Sequence, residues 1–243
     1  MQIDPSAPLL AFDTSTELLS VALWHQGQSC THAGAGGAQA SATLIPAAQA
    51  LLAAAGIGFA QLGAIVFGRG PGSFTGLRTA CAVAQGLAYG ATPAGLPVLP
   101  VDTLLAVAED ARHRHGAERV VAALDARMDE VYACACRYDA QRARWHMDGA
   151  LAVLAPEAVR VPAGWALAGN ARAAYGERIA PGAPALDAQP GAEALLRLAP
   201  ALIADGHLVP AAAALPLYIR DKVAKTTAER EAERALRAAL VQG

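Results

Sequence analysis

The sequence of 243 residues has 19 Lys and Arg against 21 Asp and Glu, which gives a formal net charge of -2. Proteins that bind nucleic acid unaided usually present a strongly basic surface, so we expect any RNA to be held mainly by a partner. The four cysteines show no disulfide-type spacing, and the N-terminus has no charged segment followed by an apolar run. Both features favour a reducing cytoplasm over a secreted location.

Charge is spread unevenly along the chain. Residues 1–101 contain five charged side chains: Asp4, Asp13, Glu17, Arg69 and Arg78. Two explanations stay open: another protein covers part of this surface, or an alanine-rich composition has replaced charged surface residues. We exclude a membrane span for the uncharged run 79–101, because several glycines and prolines interrupt it.

Apolar periodicity predicts the first elements in chain order. Residues 9–24 read as a hairpin, in which a polar Asp-Thr-Ser-Thr turn joins two apolar strands. Helical spacing follows over 40–55, and AIVFG at 64–68 is typical of a short buried strand. The order strand, strand, helix, strand favours an α/β arrangement.

Two further helices are predicted after the glycine-rich loop GRGPGSFTGLR, residues 68–78. The first should end near Gly90 and carry one apolar stripe, made by Leu77, Cys81, Ala84 and Ala88. The second covers 102–115, with Asp102 as its N-cap and basic residues in its last turn.

The layout of the hairpin returns later in the chain. Residues 120–139 again give an apolar strand ending in Asp, a turn with an acid four residues on, and a second strand. Asp125 matches Asp13 and Asp129 matches Glu17, with the same offset of 112 residues. The repeat predicts a duplicated α/β fold of two lobes, each with a mixed sheet and flanking helices. The predicted domains are an N-terminal lobe (1–108), a C-terminal lobe (109–220) and a charged helical tail (221–243).

The Asp-Thr-Ser turn is compatible with two chemistries. An aspartic-protease dyad needs a second such turn, but the repeat reads Asp125-Ala-Arg, so this reading is rejected. The other is a phosphate-facing hairpin of the actin-like ATPase type, in which Asp13 and Asp125 hold a magnesium-bound nucleotide. An ATP-binding phosphotransferase or ATPase therefore remains the alternative function.

The glycine-rich loop fits neither of two common catalytic loops. A phosphate-binding Walker loop needs a lysine, and none precedes Lys222; a nucleophile elbow needs Gly-x-Ser-x-Gly, which Ser73 does not provide. The loop amides could form an anion-binding nest with Arg78, or its glycines could admit a partner helix. We favour the partner helix, because small residues recur at four-residue spacing in the pairs Gly76–Ala80, Ala82–Gly86 and Gly86–Gly90. On this reading, Gly76→Leu or Ala80→Leu abolishes pairing and leaves the fold largely intact.

Four segments resemble the bacterial TsaB (YeaZ) family of the actin-like and ribonuclease-H-like superfamily. They are FDTSTELLSVAL (12–23), GRGPGSFTGLRTACAVAQGLAYG (68–90), LDARMDEVYA (124–133) and LYIRDKVAKTT (217–227). The family is similar to the threonylcarbamoyltransferase TsaD but lacks its histidine metal site. The resemblance therefore implies a non-catalytic subunit that binds TsaD, joins the ATPase TsaE in a ternary complex, and supports threonylcarbamoyladenosine formation in tRNA.

The resemblance also assigns residues. The partner interface should comprise the glycine loop and the start of the next helix: Arg69, Gly70, Pro71, Gly72, Ser73, Phe74, Thr75, Gly76, Arg78, Ala80 and Cys81. A vestigial nucleotide hairpin should comprise Asp13, Thr14 and Ser15, with Asp125 in the second lobe. We expect no catalytic residue, metal or cofactor, only indirect contact with tRNA, no membrane, and a possible homodimer through the same surface as TsaD.

Overall fold

The computed structural model describes residues 1–220, so the predicted tail helix lies outside the described residues. This part of the chain contains ten strands, namely β1 Leu9–Asp13, β2 Leu18–His25, β3 Gln28–Ala35, β4 Ala64–Gly70, β5 Val98–Asp102, β6 Arg119–Arg127, β7 Glu130–Asp139, β8 Arg144–Leu154, β9 Ala166–Ala168 and β10 Ala185–Leu186. The α-helices of the same part are α1 Ala40–Ala54, α2 Phe74–Ala91, α3 Thr103–His115, α4 Ala171–Tyr175 and α5 Ala192–Ala204.

The first sheet has the strand order β3-β2-β1-β4-β5. The hairpin predicted over 9–24 is confirmed, because β1 pairs antiparallel with β2 from Leu9 opposite Trp24 to Asp13 opposite Ser20. Strand β4 pairs in parallel with β1, and β5 pairs in parallel with β4. The parallel step places the end of β4, where the glycine loop begins, beside the end of β1.

The second sheet has the order β10-β9-β6-β7-β8. If β6 is matched with β1, the two orders are the same: an antiparallel meander of three strands on one side and two parallel strands on the other. The predicted duplication is therefore confirmed at the level of topology. Asp13 ends β1 and Asp125 lies near the end of β6, so the two aspartates occupy equivalent places.

Helices cover both faces of the first sheet. Apolar residues of α1 and α2 pack on one face, around Phe12 and Phe67. Leu105 of α3 and Leu195 of α5 pack on the other. Helix α3 also contacts the second sheet through Leu104, so it joins the two cores, and the predicted boundary at 108 falls inside it. Helix α5, which the prediction places in the C-terminal lobe, packs on the first sheet.

Two details of the helices bear on the sequence predictions. The stripe predicted on α2 is confirmed, since all four of its members are buried. Asp102 is the N-cap residue of α3, as predicted, but its side chain makes no cap hydrogen bond, and its Oδ1 instead accepts from Arg69 Nε at 2.5 Å. Among residues 1–220, the helices are too short or too polar to cross a bilayer.

Candidate functional site

The two matched strand ends and the glycine loop meet at a cleft between the sheets. The cleft encloses about 390 Å³. Its walls include Ser15 and Glu17 from the first hairpin, Phe74 from the start of α2, Asp125 from β6 and Tyr218. The structure thus brings the predicted nucleotide hairpin and the predicted interface loop together at the cleft.

Asp13 does not face it. The side chain is 1% exposed, and Thr14 beside it is also buried. Oδ1 accepts hydrogen bonds from the Ser15 backbone N at 2.9 Å and from Ser15 Oγ at 2.6 Å, while Oδ2 is buried without a partner. Gly68 lies against Oδ2 so closely that a Cβ there would come within 1.7 Å. Burial raises the pKa of Asp13 to about 6, and the hydrogen bonds from Ser15 oppose that rise only in part.

Asp125 lines the cleft, but its carboxylate is occupied by other side chains. Oδ1 accepts from the Arg127 backbone N at 2.8 Å and from the Tyr175 hydroxyl at 2.7 Å. Oδ2 lies 3.2 Å from Arg127 Nη1 in an ion pair. Burial and the bond to Asp125 raise the pKa of Tyr175 to about 12, so this donor stays protonated at neutral pH.

These two environments do not fit a magnesium-bound nucleotide. Magnesium bound with a nucleotide usually takes oxygen ligands from one or two open carboxylates. Asp13 is sealed under the loop, and Asp125 already accepts from a tyrosine and an arginine. Within residues 1–220, no cluster of three His, Cys, Asp or Glu side chains could hold a metal ion.

The glycines of the loop are used for contacts inside the chain. A Cβ at Gly72 would come within 2.5 Å of the Ser15 carbonyl oxygen, and one at Gly76 within 1.8 Å of the Thr14 carbonyl oxygen. Two hydrogen bonds join the same segments: Thr14 Oγ1 donates to the Gly76 carbonyl at 2.7 Å, and the Ser73 N–H donates to the Ser15 carbonyl at 2.7 Å. The glycines therefore let the loop lie directly on the first hairpin.

This packing corrects the physical reason given for part of the interface. Gly76 and Ala80 do not leave room for a partner backbone, because Gly76 contacts the first hairpin and Ala80 is fully buried in the core of the first sheet. Cys81 is also buried and its Sγ donates to the Ala214 carbonyl at 3.1 Å. The expectation that Gly76→Leu or Ala80→Leu spares the fold is wrong, since a larger side chain at either position meets the chain itself.

Other predicted interface residues do reach the surface. Ser73, Phe74, Thr75 and Arg78 are exposed, whereas Pro71 is buried. Arg69 is partly exposed and its guanidinium pairs with Asp102, while Gly70, at φ +122, lies against the Leu217 carbonyl oxygen.

The exposed side of α2 has its own set of small residues. Ala82, Gly86 and Gly90 are exposed and follow one another at four-residue spacing, so they lie along one face of the helix. A Cβ built at Gly86 or Gly90 would meet nothing within 4 Å. Of the three small-residue pairs in the sequence, one is therefore internal and two are on the surface. We call Ala82, Gly86 and Gly90 the small-residue stripe.

Sequence reasoning gave no role to residues 217–220, which we call the strap. The Leu217 N–H donates to the Arg69 carbonyl at 2.7 Å, which fixes the strap to the glycine loop. The Tyr218 ring lies 5.0 Å from that of Phe74, and Arg220 Nη2 donates to the Ala126 carbonyl at 3.1 Å in the second lobe. The signal was present in the segment LYIRDKVAKTT, but periodicity does not show which distant segments a loop contacts.

An aromatic and cationic cluster results at the mouth of the cleft. Arg78 lies over the Phe74 ring with its Cζ 3.8 Å from the ring centroid, and Arg78 Nε donates to the Tyr218 hydroxyl at 3.2 Å. Phe74 and Tyr218 remain 36% and 45% exposed. Two large aromatic side chains held by one arginine thus face solvent beside the N-terminus of α2.

Comparison with known proteins places this geometry in a family. The family model described as "TsaD: tRNA N6-adenosine threonylcarbamoyltransferase" matches residues 28–171. The chain is 37% identical over 228 residues to the tRNA threonylcarbamoyladenosine biosynthesis protein TsaB of Escherichia coli K12, covering 89% of this chain and 96% of that protein. It is 39% identical over 233 residues to the tRNA threonylcarbamoyladenosine biosynthesis protein TsaB of Haemophilus influenzae, covering 88% of this chain and 94% of that protein.

A solved structure, YeaZ from Pseudomonas aeruginosa, superimposes with a TM-score of 0.80 at 44% identity. That match covers 88% of this chain and the whole of the YeaZ chain. The duplicated actin-like and ribonuclease-H-like fold predicted from the sequence is therefore confirmed, and the chain belongs to the TsaB (YeaZ) family.

Proposed function

We propose that this chain is a non-catalytic cytoplasmic subunit that binds and supports a TsaD threonylcarbamoyltransferase during the formation of threonylcarbamoyladenosine in tRNA. The observation that carries the proposal is the small-residue stripe on α2. Helices whose contact residues are small can approach each other closely, because the side chains at the contact set the distance between axes. The stripe therefore suits a partner helix laid along α2.

The surroundings of the stripe support the same use. Arg78 is the charged residue of α2, so a partner covering the helix removes little charge from water. The cluster of Phe74, Arg78 and Tyr218 stands at one end, and tyrosine and arginine are enriched among residues that dominate binding energy. A surface with small residues along its centre and aromatic side chains at one end therefore suits a protein interface.

The state of the two aspartates supports a role without catalysis. Asp13 is buried and Asp125 is engaged by Tyr175 and Arg127, so neither carboxylate is open to a nucleotide-bound metal. No observation favours the alternative ATPase. We expect calorimetric titration of the chain with ATP and magnesium to give no heat of binding; micromolar binding that is lost in Asp13→Ala would support the ATPase instead.

Partners follow from the same surface. We infer that TsaD occupies it, that TsaE joins the complex so formed, and that a second copy of this chain uses it when TsaD is absent. The net charge of -2 supports contact with tRNA only through these partners.

The test is a pair of leucine substitutions measured by size-exclusion chromatography with light scattering, with the chain alone and mixed with TsaD. Gly86→Leu places a large side chain in the centre of the stripe, where nothing in the chain itself opposes it. Ala173→Leu adds the same side chain to an exposed position of α4 and serves as the matched control.

We expect Gly86→Leu to stay folded and to lose the heterodimer, while Ala173→Leu pairs like the unsubstituted chain. A Gly86→Leu chain with a native circular dichroism spectrum that still forms the heterodimer at unchanged affinity would contradict the proposal. Because leucine has a higher helix propensity than glycine, loss of pairing cannot be ascribed to a weakened α2.

A further inference from the structure

A second cavity, of about 620 Å³, shares no lining residue with the cleft. It lies between α3, α5 and the β7–β8 hairpin. Four arginines line it, namely Arg69, Arg112, Arg144 and Arg197. Its size is within the range of sites for small molecules, and its function is assigned by none of the features described above.

The base of this cavity holds a buried carboxylate shared by two arginines. Glu109 is 2% exposed and accepts from Arg112 Nε at 3.0 Å, from Arg112 Nη2 at 2.9 Å, and from Trp145 Nε1 at 2.9 Å. Arg197 Nε lies 3.2 Å from Glu109 Oε1, yet this nitrogen is buried without a hydrogen bond. Arg112 and Trp145 supply the hydrogen bonds to this carboxylate, whereas Arg197 forms only an ion pair with it, so Arg197 Nε is left without a hydrogen-bond acceptor.

The other arginines near Arg197 have carboxylate partners of their own. Arg69 pairs with Asp102 at 2.5 Å, and Arg144 pairs with Asp205 at 3.0 Å. Outside the lining, Asp110 lies 3.8 Å from Arg197 Nη2, but it also pairs with Arg114 at 3.4 Å and accepts from the Gln189 N–H.

The lining therefore sets four guanidinium groups against the three carboxylates of Asp102, Glu109 and Asp205, and His207 stands beside them. The lining itself thus carries more guanidinium than carboxylate groups, at a site partly withdrawn from water, where charge interactions are stronger than in bulk solvent.

We propose that this cavity binds a small organic anion, in which a carboxylate or phosphate group is attached to an apolar body. Guanidinium groups present planar pairs of N–H donors that match the oxygens of both anions, so the charged group would lie beside Arg197. The apolar body would pack on Leu105, Leu198 and Leu202, which line the same cavity. The anion would accept hydrogen bonds from the guanidinium groups that line the cavity.

The experiment is calorimetric titration of the full chain with three probes that share a phenyl ring: phenyl phosphate, phenylacetate and the neutral phenylethanol. We expect saturable binding of at least one anion and none of the alcohol, and the tighter anion identifies the charged group. Arg197→Gln should weaken that binding about tenfold or more. Arg137→Gln is the matched control, because Arg137 is exposed and pairs with Asp148 outside the cavity.

A second variant covers the case in which Arg197→Gln does not fold. Leu202→Trp keeps every charge and fills part of the cavity, so it should also abolish binding of the anion. The proposal is overturned if neither anion binds saturably, if the alcohol binds as tightly as the anions, or if a folded Arg197→Gln or Leu202→Trp chain retains the affinity of the unsubstituted chain.

Discussion

The buried Asp13 carboxylate makes a quantitative prediction about stability. Asp13→Asn keeps the shape of the side chain and its Oδ1 acceptor for Ser15, but it removes a group that must ionise inside the protein. The new amide N–H groups replace Oδ2, which has no partner, so the variant carries a constant cost for an unsatisfied donor of about 1–3 kcal/mol. The informative quantity is therefore the pH dependence of the difference between the two proteins.

The size of that dependence follows from the pKa. Asp13 has a folded-state pKa of about 6 against an ordinary value of 3.8, which corresponds to about 3 kcal/mol. Between these values the folded state binds more protons than the unfolded state. The contribution of Asp13 to stability is thus fully present below about pH 4 and is lost as the pH rises through about 6. Relative to the unsubstituted chain, Asp13→Asn should gain about 3 kcal/mol over this window.

Urea unfolding at several pH values from about 4 to about 8 measures this difference directly. Asp148→Asn removes an exposed carboxylate and controls for the change in net charge. If the free energy of unfolding of Asp13→Asn minus that of the unsubstituted chain stays constant across the range, Asp13 ionises without penalty and the reasoning is refuted. A difference that falls as the pH rises would require a cationic partner for Asp13.

Three further variants test the contacts around the cleft, each by thermal or urea unfolding. Gly76→Ala should cost about 3 kcal/mol or more, because its Cβ meets the Thr14 carbonyl; an unchanged midpoint would mean that the loop does not pack on the hairpin. Ser73→Ala should cost less than about 1 kcal/mol, since Ser73 Oγ accepts from the Gly76 N–H at a long 3.5 Å; a larger loss would indicate a stronger cap. Tyr175→Phe should cost about 1–2 kcal/mol by removing the donor to Asp125, and an equal stability would show this bond to be dispensable.

The duplicated fold could be predicted because its signals are local. Apolar runs mark β1 and β6, each run ends in an aspartate, and the offset of 112 residues repeats in the following acid. Such patterns depend only on neighbours along the chain. The same holds for the buried apolar stripe on α2, made by Leu77, Cys81, Ala84 and Ala88, because its spacing matches the helical period.

The role of the glycines could not be predicted in the same way. A small residue is compatible with a close contact from either side of a helix, and the sequence does not say which side faces the sheet. In the structure, Gly76 lies against Thr14, while Gly86 lies against nothing in the chain. Likewise, the place of Tyr218 depends on a contact with Phe74 across a large separation in sequence. Tertiary packing decides both, because periodicity carries no information about distant segments.

Neither lobe presents an open carboxylate at the matched position, and the reason differs between the two lobes. In the first lobe, Gly68 and the glycine loop close over Asp13. In the second lobe, the aspartate stays at the cleft but is bound by Tyr175 and Arg127. The glycine loop that covers Asp13 also positions an exposed surface. The loop fixes the start of α2 and, through the strap, sets Tyr218 beside Phe74, so the same packing that closes over Asp13 also orders the exposed aromatic surface that we propose as the partner interface.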